Sequence, residues 1–401
     1  MTLDALGRRL EDRLLAERTQ ANARFFGAEA ERIARLCHRM AERFARGGRL
    51  VALGRSPAER SDVRHVAVEF VHPVIVGKRA LPAIGLAREG GPLPHQAELI
   101  CEPADVAMAF GSHPETIEAL RIAAGRGCLT VAFAPVDADW TFEPASDDAF
   151  VRQELVETLY HVLWELVHVF FEHRGLLEGR EARAVHDTGA SSFLYPFLGE
   201  REHDLEAVLE DVHGSVVMKA QEVGALREQT LTEGRGELVA AARALRSSFE
   251  AGGKLLALGN GGSATDAMDC VADFRDPPVP GWVPRRALDL TEDPAILTAI
   301  ANDIGTDAIF QRQVIAYGRE GDAVLALSTS GNSANVIEAL AEARRRSLLT
   351  VAMVGYDGGR VADEGLADHV VVTRSEHIPR IQEAQASAYH SLRELVEEAA
   401  E

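Results

Sequence analysis

The feature that most constrains this chain is that it repeats itself. The segment Phe44-Ala45-Arg46-Gly47-Gly48-Arg49-Leu50-Val51-Ala52-Leu53-Gly54 returns as Phe249-Glu250-Ala251-Gly252-Gly253-Lys254-Leu255-Leu256-Ala257-Leu258-Gly259, an offset of 259 − 54 = 205 residues. A second echo follows. Ile117-Glu118-Ala119-Leu120 and Thr130-Val131-Ala132 recur as Ile337-Glu338-Ala339-Leu340 and Thr350-Val351-Ala352, each 220 residues later. Self-similarity at this range points to a duplicated domain. A chain of 401 residues is long enough for each copy to bury a core of its own. The expected division is one copy over 1–173, a linker over 174–203 and a second copy over 204–401. The linker region breaks periodicity at Thr188-Gly189-Ala190-Ser191-Ser192 and Pro196, while Phe193-Leu194-Tyr195-Pro196-Phe197-Leu198 is apolar enough to pack on a domain.

Both copies read alike. Two helices are followed by strand, helix, strand, helix and strand, with a long final helix. Apolar stretches such as 105–110 and 323–327 alternate with helical patterns, which predicts α/β domains whose parallel sheet is covered on both faces. Each Gly-Gly reads as a helix stop ahead of a buried strand.

The formal charge of −20 argues against nucleic-acid partners, because phosphate backbones require clustered Lys and Arg. No apolar stretch approaches the roughly 20 residues that span a bilayer. Cys37, Cys101, Cys128 and Cys270 show no CxxC spacing, and the first residues lack a signal-peptide pattern, so a cytoplasmic location is expected.

Two loops of the second copy carry chemistry. After the strand at 254–258 comes Gly259-Asn260-Gly261-Gly262-Ser263, leading into a helix. Glycines at such a turn let the backbone approach a ligand, and the helix start offers free N–H groups. After the strand at 323–327 comes Ser328-Thr329-Ser330-Gly331-Asn332-Ser333 at the start of another helix. Four hydroxyls with no acidic neighbour exceed what a helix cap requires and suit a phosphate dianion. The first copy has lost both features. Its loops read Gly54-Arg55-Ser56-Pro57-Ala58-Glu59 and Gly111-Ser112-His113-Pro114-Glu115-Thr116, the latter three residues shorter, and Glu115 would repel a phosphate.

Gly259–Ser263, Asn302-Asp303, Gly318-Arg319-Glu320-Gly321-Asp322, Ser328–Ser333 and Arg380-Ile381-Gln382-Glu383 together resemble the SIS (sugar isomerase) domain family. Within it they are most similar to the phosphoheptose isomerase branch, which interconverts sedoheptulose 7-phosphate and a heptose 7-phosphate. The resemblance is dense over 205–398 and weaker over 5–172. It implies two three-layer α/β/α sandwiches of flavodoxin-like type, each with a five-stranded parallel sheet. It further implies a homodimer that imitates the family's tetramer of single domains.

The resemblance also implies a metal and acid–base set: a His and a Glu four apart on one helix, with a Gln and a His eight apart on the last helix. Residues four apart share a helix face, and the eighth lies nearly above. The first copy carries all four as His65, Glu69, Gln153 and His161, a set suited to zinc or another divalent metal. The second copy keeps Gln382 and His390 but has Asp269 and Asp273 at the other two positions, and Pro379 stands where the isomerases often have Asp. Aldose–ketose isomerisation through an enediol needs a base and an acid. The expected roles are Asp273 as base, His390 as acid and Gln382 beside them. Asn260, Gly261, Ser263, Ser328, Thr329, Ser330 and Ser333 would hold the phosphate, and Asn302 and Asp303 the sugar hydroxyls. His161 or Gln153 would be lent to the second copy's pocket. The alternatives are a non-catalytic phosphosugar sensor or adaptor, like the relative that binds the replication initiator, or an isomerase of another sugar phosphate.

Overall fold

The computed structural model describes residues 3–74, 78–172 and 204–399, so the expected linker lies outside the described residues. In the first copy, helix α1 (Leu3–Arg9) runs through a π-helical turn (Leu10–Leu15) into α2 (Ala16–Ala45). Then follow β1 (Leu50–Leu53), α3 (Pro57–Val71), β2 (Ala83–Leu86), α4 (Leu93–Ile100), β3 (Val106–Ala109), α5 (Pro114–Gly125), β4 (Leu129–Ala132), β5 (Trp140–Thr141) and α6 (Ala149–Glu172). The second copy begins with α7 (Leu205–Glu233) and α8 (Arg235–Glu250), then β6 (Leu255–Leu258), α9 (Gly262–Arg275), β7 (Ala287–Asp289), α10 (Pro294–Asp303) and α11 (Ile309–Tyr317). It ends with β8 (Ala323–Ser328), α12 (Ala334–Arg345), β9 (Leu349–Gly355), α13 (Gly359–Asp363), β10 (His369–Thr373) and α14 (Ile378–Glu398).

The duplication is visible in the sheets. The first sheet has the order β2-β1-β3-β4-β5 and the second β10-β9-β8-β6-β7, so matching strands occupy matching places, all parallel. Leu50 pairs with Val106 as Leu255 pairs with Ala323, and Val106 pairs with Leu129 as Ala323 pairs with Leu349. The helix-stopping glycines also match. Gly47 and Gly252 both have φ of 88°, which only glycine adopts without strain. A Cβ on Gly48 would lie 2.0 Å from Ala104 O, and one on Gly253 2.4 Å from Gly321 O, so the second glycine of each pair is fixed by close backbone approach.

Side-chain devices are duplicated too. Asp105 accepts from the Arg49 amide at 2.8 Å and Asp322 from the Lys254 amide at 2.9 Å. Asp139 and Asp368 each accept from the amide and hydroxyl of a threonine, Thr130 and Thr350, on the neighbouring strand. These contacts fix the strand starts in the same way in both copies.

The edge strands β2, β5, β7 and β10 escaped the periodic reading, which found three strands per copy. All four lie at a sheet edge, and β5 and β7 are two and three residues long, too short to show a pattern.

By compactness the chain forms two units that are not linear halves. One comprises Met1–Gln20, Asp147–Glu154 and Glu222–Glu401, the other Ala21–Ser146 and Leu155–Gln221. In the first of these, alternate side chains of each strand face opposite cores. Leu255, Ala257, Leu325 and Met353 join a core with Leu6, Leu245 and Leu392, whereas Leu256, Leu258, Val324 and Val354 join one with Phe310, Val336 and Leu340. That is the three-layer sandwich, its middle layer apolar on both faces. Among the described residues no helix is long and apolar enough to cross a membrane.

Candidate functional site

In a sheet of this order, ligands bind beyond the carboxyl ends of the strands where the strand order reverses. In the unit that contains the second sheet, that point lies between β6 and β8, and the loops that follow them are the two singled out in the sequence.

Gly259 closes β6. A Cβ there would meet Ser263 O at 2.2 Å, so glycine is needed for the helix to begin this close to the strand. Gly261 has φ of 57°, and α9 starts at Gly262 with Ser263 buried beneath it. After β8, the hydroxyl of Ser328 accepts from the Gly331 amide at 3.2 Å, and that of Ser330 accepts from the Asn332 amide at 3.2 Å. Gly331 has φ of 63° and approaches Gly358 so closely that a Cβ would sit 2.1 Å from its carbonyl. Asn332 braces the loop from outside, accepting from the Arg360 amide at 3.0 Å. Ser333 occupies the N-cap position of α12 but makes no side-chain cap bond, so its hydroxyl is not consumed in capping. The two loops are tied together: Asn260 and Asn335 exchange amide hydrogen bonds, each 2.9 Å. Asn260 therefore positions one loop against the other. The result is a turn of free N–H groups and hydroxyls at two helix starts, with no carboxylate in either loop, which is the environment a phosphate dianion needs.

Asn302 and Asp303 end α10, exposed, with the Asn302 amide donating to Asp303 at 2.8 Å. Arg275 donates to Ala287 O at 2.7 Å and so braces α9 against β7.

A buried polar cluster lies on α9 and α14, supplemented by residues 147–154 and the start of α2, which belong to the same unit. Asp269 and Asp273 share a face of α9. His390 of α14 bonds through Nε2 to Asp269 Oδ2 at 3.2 Å, lies 3.5 Å from Asp273 Oδ2, and bonds through Nδ1 to Glu154 Oε1 at 3.0 Å. Asp269 also accepts from the Tyr389 hydroxyl at 2.9 Å and from the Gln153 amide at 2.7 Å. Glu154 in turn accepts from Arg18 Nε at 2.9 Å and from the Ser387 hydroxyl at 2.6 Å. Phe150 stacks on the His390 ring at 4.7 Å. Gln382 is buried on the same helix, and Pro379 sits in its first turn, where proline fits without loss of a hydrogen bond.

Electrostatics divide the roles. Burial, then the neighbouring Asp269, raises Asp273 well above the carboxylate range, and its Oδ2 has no hydrogen-bond partner. Burial opposes the charge of His390, but the hydrogen bonds to Asp269 and Glu154 hold it well above the usual histidine value. Burial also works against the charge of Glu154, yet Arg18 and His390 pull it down to about 2. The cluster is therefore an imidazolium clamped by two carboxylates, beside a third carboxyl that readily holds a proton.

The four residues expected as a metal set divide. His65 and His161, both buried, bring their Nε2 atoms to 3.2 Å, with Glu69 Oε1 4.0 Å from His65 Nε2. Burial, and then His161, pushes His65 well below its usual value, so its ring is neutral, the form that binds a metal. Two imidazole nitrogens and a carboxylate are a donor set that fits a divalent metal. Gln153 instead gives its amide to Asp269, while His161 faces His65. Asp269, Asp273 and His390 also converge. There, however, both nitrogens of His390 face carboxylates and Asp269 takes three donors, so the lone pairs a metal would use are engaged.

The corresponding loops of the first sheet are filled. Glu59, at the position matching Ala264, accepts from the Arg55 and Ser56 amides at 2.6 and 2.9 Å and closes a capping box with Ser56. Its other oxygen occupies the space above Gly111, where a Cβ would lie 1.7 Å away. Glu115 stands at the start of α5, 3.5 Å from Arg55 Nε.

Glu154, Arg18 and Ser387 were not found from the sequence. The one available signal was that Gln153-Glu154 repeats as Gln382-Glu383.

The SIS domain family matches residues 220–355. The phosphoheptose isomerase of Chlorobium phaeobacteroides is 41% identical over 209 residues, 49% of this chain and 89% of that protein. The one from Geobacter sulfurreducens is 44% identical over 169 residues, 40% of this chain and 85% of that protein. The C-terminal domain of glucosamine-fructose-6-phosphate aminotransferase from Francisella tularensis covers 97% of this chain and 96% of its own length, with a TM-score of 0.61 at 8% identity. Tagatose-6-phosphate ketose/aldose isomerase from Escherichia coli covers 97% of this chain and 93% of its own, with a TM-score of 0.56 at 10% identity. At such identities the structural likeness speaks for the fold, and the sequence likeness speaks for descent. The chain belongs to the SIS-domain family, and its C-terminal half is a homologue of the phosphoheptose isomerases.

Proposed function

We propose that the protein is a phosphosugar isomerase that converts sedoheptulose 7-phosphate to its aldose through an enediol, using the unit built on the second sheet. The observation that carries this reading is the pair of phosphate-type loops, locked together by Asn260 and Asn335, in the same unit as a carboxyl–imidazolium pair. Ser263, Ser328, Thr329, Ser330 and Ser333, with the amides at the starts of α9 and α12, hold the phosphate, Gly261 letting the backbone approach it. Asn302 and Asp303 meet the sugar hydroxyls. Once ionised, Asp273 removes the proton from the carbon beside the carbonyl, and its raised pKa makes it a stronger base than an ordinary carboxylate. His390 supplies the proton to the carbonyl oxygen as the enediol forms, with Gln382 beside it on α14. Hydrogen bonds to the developing oxyanion lower the barrier because the site is preorganised and dry.

Zinc is the fitting ion for His65, Glu69 and His161, where it would supply a fixed charge joining α3 to α6. A homodimer suits helix α10, where Leu297 packs on the core and Ile296 and Ile300 are half-buried. None of its residues is fully buried.

The test is to incubate the protein with sedoheptulose 7-phosphate and follow aldose formation by NMR. Turnover is expected. Absence of turnover with added Zn²⁺, Mg²⁺ or Mn²⁺ overturns the catalytic reading. A second reading, a non-catalytic phosphosugar sensor or adaptor, is favoured by the complete burial of His390 and the engagement of both its nitrogens. Calorimetric binding of the sugar phosphate without turnover would decide for it.

A further inference from the structure

We propose that Glu154 is the positioning residue for His390, so that the acid–base pair of the second copy is completed by a carboxylate encoded on α6, outside the homologous half of the chain. The inference rests on the isomerase reading for its kinetic consequence and on geometry for the clamp itself.

Four contacts define the geometry. Glu154 Oε1 meets His390 Nδ1 at 3.0 Å, which fixes the ring orientation and turns Nε2 toward Asp269 and Asp273. Glu154 cannot swing away, because Arg18 grips both its oxygens, at 2.9 and 3.1 Å, and Ser387 donates to Oε2 at 2.6 Å. Arg18 is itself anchored by donating to Leu14 O at 3.1 Å and to Glu394 at 3.2 Å. Arg18 and Glu154 are each 1% exposed, so no solvent competes for these bonds. A carboxylate on the far nitrogen of a histidine sets its tautomer and direction, and such second partners control how well the near nitrogen works.

Burial of a full Arg–Glu pair is costly unless something is gained from its placement. Glu154 uses the remaining acceptor capacity of its carboxylate on His390. This separates it from a pair that only bolts α2 to α6: a bolt would be indifferent to the tautomer of a neighbouring ring.

The experiment compares wild type, Glu154→Gln and Glu154→Asp in the full chain, with kcat and KM measured on sedoheptulose 7-phosphate. Glu154→Gln should lower kcat at least thirtyfold and leave KM within threefold, because the phosphate loops are untouched. Glu154→Asp retains the charge that Arg18 needs but withdraws the carboxylate by one methylene, and should lower kcat about tenfold. A kcat within threefold of wild type in a folded Glu154→Asp or Glu154→Gln protein overturns the proposal, as does a rise in KM that accounts for the whole loss. A second readout does not need turnover. With ¹⁵N-labelled histidine, the wild type should show a low-field Nδ1–H proton, assigned by its loss in His390→Asn and absent or shifted in Glu154→Asp. If the wild type is inactive on the sugar phosphate, the isomerase reading fails, and this resonance alone decides the clamp. Its absence from wild type overturns the proposal.

Discussion

The loop after β6 and the loop after β1 descend from one sequence and now do opposite things. In the second copy, Ala264 leaves the start of α9 open, and Asn260 links the loop to Asn335. In the first, Glu59 turns its carboxylate back onto the Arg55 and Ser56 amides and into the space above Gly111. The backbone scaffold is the same, with equal strand order and equal glycine stops. In the first copy one side chain supplies an anion from within, whereas the matching position of the second copy holds only a methyl group. The free N–H groups of a helix start must be satisfied in either case. A carboxylate and a phosphate meet that need equally well, and only the second is a ligand.

The sharpest way to break the comparison is to give the second copy the plug of the first. Ala264→Glu should weaken binding of sedoheptulose 7-phosphate roughly a thousandfold, ~4 kcal/mol, in a calorimetric titration. Retention of affinity within tenfold would mean that the anion cradle lies elsewhere. The next largest effect comes from the buried cluster. Glu154 lies at about 2 in the folded chain against an ordinary value of 4.5, so its stabilisation is fully present above pH 4.5 and is lost as pH falls toward 2. A depression of this size corresponds to about 3 kcal/mol. Glu394 acts in the opposite sense: burial raises it to about 7, so it lowers stability as pH climbs from 4.5 toward 7. Urea unfolding between pH 2 and 7 should therefore show stability greatest near pH 4.5, falling by a similar amount toward pH 2 and toward pH 7. A neutral Glu154 would remove the acid limb. The smallest effect is expected from unplugging the first copy. Glu59→Ala removes the capping box at α3 and should cost about 1 kcal/mol. In the Ala264→Glu background it should still not bind inorganic phosphate, because Glu115 stays at the start of α5. Millimolar phosphate binding there would show that Glu59 alone keeps the ligand out.

The two copies also contrast at their polar clusters. His65 and His161 face each other with Glu69 nearby, and burial holds His65 well below its usual value. His390 is charged and both its nitrogens are taken. The exchange of a histidine for Asp269 explains the difference. Two imidazoles in contact repel protons, whereas an imidazole against a carboxylate retains one.

How much was legible follows from the range of each interaction. The phosphate loops were readable because they are local: strand, glycine, hydroxyls and helix start lie within ten residues, and the positive φ angles of Gly261 and Gly331 are properties of that segment alone. The duplication was readable because matched glycine stops and strand patterns survive as sequence. The edge strands β2, β5, β7 and β10 were not, since short strands carry little periodicity. Arg18, Glu154 and Ser387 could not be placed, for they stand 136 and 233 positions apart along the chain and meet only when it has folded. Gln153 was grouped with His65, Glu69 and His161 by the family resemblance, yet its amide reaches Asp269, because a matching helix spacing fixes which face a side chain shares and not what packs against that face.

The sequence by itself determined two copies of an α/β domain, one with glycine- and hydroxyl-rich loops free of carboxylates and one whose loops carry Glu59 and Glu115. Both are consequences of local chemistry at strand ends and helix starts. Only the tertiary structure decided that Glu59 serves as its own ligand, that His390 is an imidazolium held by Glu154 and Asp269, and that His65 and His161 meet. Charge state and hydrogen-bond direction depend on what surrounds a buried group, and those surroundings are assembled from distant parts of the chain.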